Sequence, residues 1–154
     1  MQYLYGEKLN NPAVLSDFEA STGHVVPTEY KEIVAQHDGA LLEPSGIDVW
    51  NANECRHEFI ECNSLLPFED RDIGQLTIQQ ANVGDVDRPD WLVYFGLEAG
   101  GYLFGFDYRQ GPDPRIVLLH TGNVIGNSSQ MIPVAESFSA FIGSLRGYEE
   151  SARP

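Results

Sequence analysis

The stretch Phe95-Gly-Leu-Glu-Ala-Gly-Gly-Tyr-Leu-Phe-Gly-Phe-Asp-Tyr-Arg109 decides how the chain is read. It holds Gly96, Gly100, Gly101 and Gly105. A loop that cradles a phosphate needs its glycines between a strand and a helix, so that helix N-terminal amides meet the anion. Here the glycines fall between two strand patterns. Trp91–Phe95 is apolar throughout. Tyr102–Tyr108 alternates, with Tyr102, Phe104 and Phe106 on one face and Leu103, Gly105 and Asp107 on the other. No Gly-Lys-Ser/Thr follows, and Glu98 and Asp107 would repel a phosphate. The stretch therefore reads as a β-hairpin, turned by Gly96, Gly100 and Gly101, with Gly105 leaving room for a close neighbour on the sheet.

Working outward, Arg115–His120 is a further strand. On the N-terminal side, Asn11-Pro12 opens a helix that Gly23 ends. A second helix starts near Pro27, carries Tyr30, Ile33, Val34 and His37, and stops at Gly39. Leu41–Trp50 contains a short strand bent by Pro44 and Gly46. Asn51–Ser64 has Cys55, Phe59 and Cys62 on one helical stripe and reads as a helix. Leu65–Pro89 is a polar, acidic loop with a β piece at Leu76–Ile78. The closing segment PVAESFSAFIGSLRG places Val134, Phe138, Phe141, Ile142 and Leu145 on one helical face, with Gly147 as the stop. Strands joined by short Gly/Pro turns are antiparallel. The expected fold is a single α+β domain over residues 1–154, a mainly antiparallel sheet with helices packed on it.

Composition narrows the function. Nine Lys+Arg against 23 Asp+Glu give a net charge of −14. Nucleic acid and anionic membranes both require a basic footprint, so direct binding to either is not expected. No apolar run is long enough to span a bilayer. The N-terminus lacks a basic patch followed by an apolar stretch, so the expected location is cytoplasmic. Cys55 and Cys62 stand seven apart, about 10 Å on a helix and too far for a disulfide, and both are expected to be reduced.

Enzyme chemistry finds little purchase. A zinc site at Cys55, His57 and Cys62 fails because His57 points away from the cysteine stripe and no second Cys-x-x-Cys exists. EF-hand spacing from Asp70 or Asp85 puts the wrong residues at the sixth and twelfth positions. His24, His37, His57 and His120 lack a nucleophile context. No metal or cofactor is expected. An enzyme using carboxylates of residues 69–90 with a divalent ion is the weakest of the readings.

"LSDFEASTGHVVPTEYKEIVAQHDGA" resembles the opening of the SMI1/KNR4 family, also called the SUKH superfamily, at Phe18, Glu19, Gly23, Pro27, Tyr30, Ile33 and Gly39. Asp38 stands where that family usually has Asn. "VYFGLEAGGYLFGFDYR" is similar to its central hairpin, "DPRIVLLH" to the next strand and "IPVAESFSAFIGSLRG" to its terminal helix. The resemblance covers about residues 14–145. It implies an α+β domain with a sheet flanked by helices, and a role in binding rather than catalysis. Many bacterial members are similar to immunity proteins that neutralise toxins, often nucleases; others resemble regulatory scaffolds. A basic toxin domain suits an acidic inhibitor. The partner-binding candidates are Glu69, Asp70, Asp72, Asp85, Asp87 and Asp90, with Trp50 and Trp91 as aromatic anchors.

Overall fold

In the computed structural model, which describes residues 1–70, 76–83, 88–119 and 131–148, the glycine-rich stretch is a β-hairpin. Strands β5 (Leu92–Glu98) and β6 (Leu103–Asp107) pair antiparallel around Gly100 and Gly101. Gly101 sits at φ 101°, a conformation that favours glycine, and its amide donates to the Glu98 carbonyl at 2.9 Å. Gly96 plays a different part from the one expected. It lies inside β5, beside a register shift between Tyr94 and Gly96. A Cβ there would stand 3.1 Å from Cys62 Sγ and 3.4 Å from Phe104 Cβ. The bulge brings Phe95 onto the ring of Phe106, stacked at 4.3 Å.

Gly105 does leave room for a neighbour: a Cβ on it would lie 2.7 Å from Leu92 Cδ1. Leu92 is fully buried and has little space to retreat. Gly105→Val is expected to cost about 2 kcal/mol by overpacking. Thermal unfolding followed by circular dichroism checks this, and an unchanged midpoint would contradict it.

The hairpin lies inside a sheet ordered β1-β2-β4-β5-β6-β7-β8, antiparallel at every pairing among the described residues. The flanking strands are β1 (Gln2–Leu4), β2 (Leu41–Glu43), β4 (Arg56–Leu65), β7 (Arg115–Leu119) and β8 (Met131–Ala135). Strand β3 (Gly46–Asn51) pairs with the first half of β4. The fold class is α+β as expected; the N-terminal strand β1 was not foreseen.

Helices α1 (Ala13–Thr22) and α2 (Thr28–His37) form where Pro12 and Pro27 predict them. Asn11 Oδ1 accepts the Ala13 amide, and Gly23 closes α1 at φ 77°. Tyr30 of α2 meets the rings of Phe95, Phe106 and Phe138 edge-on at 5.1–5.9 Å. Phe138 and Phe141 of α4 (Phe138–Ser144) complete this aromatic layer.

Three expectations are corrected. Asn51–Ser64 is not helical. Asn51 Oδ1 accepts the amides of Asn53 and Glu54, which caps one turn and not a helix, and Cys55 takes φ 51°. Beyond it, the alternation of buried Ile60, Cys62 and Ser64 is a strand period, and β3 supplies the partner. Leu76–Ile78 is not a β piece, because Ile78 begins helix α3 (Ile78–Val83). Thr77 Oγ1 accepts the Gln80 amide and Gln80 Oε1 accepts the Thr77 amide, a reciprocal cap written in the sequence as Thr-x-x-Gln. The closing helix starts late: Pro133 and Ala135 belong to β8, paired with Val117 and Ile116. Ser137 Oγ caps α4 by accepting the Ala140 amide, and the helix ends at Leu145, before Gly147.

The two cysteines therefore do not share a stripe. Both are free, but Cys55 is exposed and Cys62 is fully buried. Burial, then Glu98, pushes the Cys62 thiol far above its ordinary range. One thiol per chain is expected to react with a disulfide reagent in the native state and two after denaturation. Two fast native thiols would contradict this burial.

Candidate partner-binding surfaces

The acidic segment is moored at its start. Asp38, 2% exposed, accepts the amides of Phe68 at 2.7 Å and Glu69 at 3.2 Å. The Glu69 carboxylate in turn accepts the amides of Asn10 at 2.8 Å and Asn11 at 3.2 Å. Glu69 thus ties the N-terminal segment to the loop. Asp70 and Asp90 are exposed. Asp72, Asp85 and Asp87 lie outside the described residues, as do His120 and Asn127–Ser129.

Asp90 and Trp91 border a small aromatic cluster. His24 Nε2 donates to the Asp90 carbonyl at 2.7 Å, and the His24 ring stacks on Tyr108 at 4.1 Å. The Tyr108 hydroxyl donates to the Val25 carbonyl at 3.0 Å. Burial, then Glu19, raises the Tyr108 phenol, so it stays neutral. Trp91 is half-buried, with the Arg109 guanidinium 4.2 Å from its ring centroid. Asp107 holds Arg109 there through a short pair at 2.7 Å, and those hydrogen bonds raise the guanidinium above its ordinary range. Trp91 is therefore covered on one face by a cation.

Trp50 lies elsewhere. It is 49% exposed on β3, edge-on to His57 at 5.0 Å. Cys62 of β4 pairs with Glu98 at the end of β5, and β4 runs from there to His57, away from Trp91, which precedes the β5 start at Leu92. The two tryptophans thus sit towards opposite ends of the sheet. Sequence reasoning missed the aromatic companions of Trp50, because Asn51–Ser64 read as a helix conceals that His57 and Phe59 share a strand face with it.

Among the described residues no group of three His, Cys, Asp or Glu side chains is placed to hold a metal ion. No helix among them is long and apolar enough to cross a membrane. The geometry defines an α+β domain built on one antiparallel sheet, with an aromatic layer under its helices and an acidic exterior. The chain belongs to the SMI1 / KNR4 family (SUKH-1), whose family model matches residues 10–144. No curated protein matches the chain.

Proposed function

We propose that the chain is a non-enzymatic immunity protein that binds a basic toxin domain and neutralises it. Membership of the SMI1 / KNR4 family over residues 10–144 carries this reading. The net charge of −14 supports it. A nuclease toxin needs a basic surface for the phosphate backbone, and an acidic protein occupies that surface and is steered to it. Asp70, Asp72, Asp85, Asp87 and Asp90 supply part of the field, Trp50 and Trp91 apolar contact, and Glu69 holds the acidic segment in place.

The test pairs the chain with a candidate toxin domain, sought first among the genes beside its own. Reversing Asp70, Asp72, Asp85 and Asp87 to lysine is expected to slow association about tenfold or more at low salt and to flatten its salt dependence. Unchanged kinetics would place the contact elsewhere on the molecule.

A further inference from the structure

Among the described residues, the strand β4 carries an unpaired edge. Its first half, Arg56–Glu61, pairs with β3 on one side. On the other side β5 reaches only to Glu98, opposite Cys62, and the Ala99 amide donates to the Glu61 carbonyl at 3.1 Å. Among the described residues no strand pairs with Arg56–Ile60 on that side. Alternate backbone N–H and C=O groups of a strand point to each edge, so part of this segment presents open ladder positions. A cleft of about 570 Å³ runs beside it, walled by Glu98, Tyr102 and Leu118.

The face above this edge is aromatic and exposed. Register places Trp50 opposite His57 and Asp48 opposite Phe59 on one face of the β3–β4 ribbon. Phe59 meets Tyr148 edge-on at 5.5 Å, and Tyr148 is 66% exposed. Trp50 and Tyr148 thus offer open rings at two points along the strip. The opposite face of the ribbon is apolar and buried through Ile47, Val49 and Ile60, so the exposed rings are not core residues out of place.

The surrounding charge selects the occupant. Glu54, Glu58, Glu61 and Glu98 stand around the edge against Arg56, which pairs with Glu58 at 3.0 Å. Arg146 is paired with Asp48 and adds no free cation. A second copy of the chain would bring its own −14 to this edge. An extended segment rich in basic side chains fits on both counts: its backbone completes the ladder, and its cations meet the rings and Glu61 on one face and Glu58 on the other.

We propose that the free edge of β4 at Arg56–Ile60, with Trp50, His57, Phe59 and Tyr148, docks an extended basic segment of a protein partner by strand addition. This rests on the reading of the chain as a binding protein and adds a contact on the β3–β4 ribbon to the acidic segment.

The probe is a displayed library of random dodecapeptides selected against the intact chain at low salt. Enriched peptides are expected to be rich in Lys or Arg. Their affinity is expected to fall about tenfold for Trp50→Ala and for Glu58→Lys combined with Glu61→Lys, each variant confirmed folded by an unchanged melting temperature. N-methylation of one alternate set of peptide amides is expected to abolish binding, and of the other set to leave it intact. Failure to enrich any peptide, binding that ignores Trp50→Ala, or indifference to N-methylation would overturn the proposal. Protection from the toxin is assayed separately. A chain that protects cells but selects no such peptides keeps its function and loses this surface; one that selects them but protects nothing keeps the surface and loses the immunity reading.

Discussion

Tyr30→Ala is expected to lower stability by about 4 kcal/mol, whereas Tyr30→Phe is expected to leave it unchanged or raise it slightly. The contrast follows from where the two parts of the side chain lie. The ring is fully buried and touches Phe68, Phe95, Phe106 and Phe138, so truncation opens a cavity where α2 meets the sheet. The hydroxyl is equally buried and has no hydrogen-bond partner among the described residues. Burial, then the Asp38 carboxylate, pushes the phenol well above its ordinary range, so it is neutral at any working pH. Removing an unpartnered buried hydroxyl relieves a desolvation cost, and removing the ring loses the packing. Chemical denaturation of both variants decides the matter. A Tyr30→Phe loss comparable to that of Tyr30→Ala would show that the hydroxyl is bonded in solution.

The second large effect is expected at Asn82. Its side-chain amide, 1% exposed, donates to the carbonyls of Ile78 and Tyr94 at 2.9 Å and accepts the Tyr94 amide at 2.8 Å. One side chain thus serves both backbone groups of Tyr94, next to the bulge in β5, as a neighbouring strand would. Arg88 reinforces the joint by donating to the carbonyls of Asn82 and Leu92. Asn82→Ala orphans buried backbone groups and is expected to cost about 3 kcal/mol. Asn82→Asp keeps the shape but sets a carboxylate against the Tyr94 carbonyl, and is expected to cost more at neutral pH. Desolvation and that repulsion raise the folded-state pKa of the new carboxyl above its unfolded value of about 4. The folded state then binds more protons, so the deficit is greatest above the folded pKa and shrinks as pH falls towards about 4. Denaturation of Asn82→Asp beside wild type at several pH values tests this. A deficit smaller than that of Asn82→Ala at neutral pH, or one that grows in acid, would contradict it.

Much of the fold was legible because local signals and tertiary context agreed. Gly100 and Gly101 between two strand patterns marked the central hairpin, and Asn11-Pro12, Gly23, Pro27 and Gly39 bracketed two helices whose apolar faces meet the sheet. The misreadings arose where two periods competed. Cys55, Phe59 and Cys62 match a helical stripe, and Ile60, Cys62 and Ser64 match a strand; the pairing of β3 with β4 decided between them, and no local window contains it. Val134 lies in phase with the helix of Phe138 and Phe141, yet the partner strand β7 claims Pro133 and Ala135. The candidate site was less legible. Its acidity is written in composition, but Glu69 turns its carboxylate to the amides of Asn10 and Asn11, and Arg109 covers a face of Trp91. Both roles come from contacts distant in sequence. Trp50 stands exposed on a strand that falls within the expected Leu41–Trp50 strand region, paired with a second strand that the sequence read as a helix.

The central claim is that the chain works by binding a basic toxin domain. Its most direct test is growth of cells expressing a candidate toxin domain, sought first among the genes beside this one, with and without this chain, together with copurification of the two proteins. The account predicts rescue by the chain and a complex whose association weakens as salt rises. Cells that die equally with and without the chain, and no complex at low salt, would contradict it.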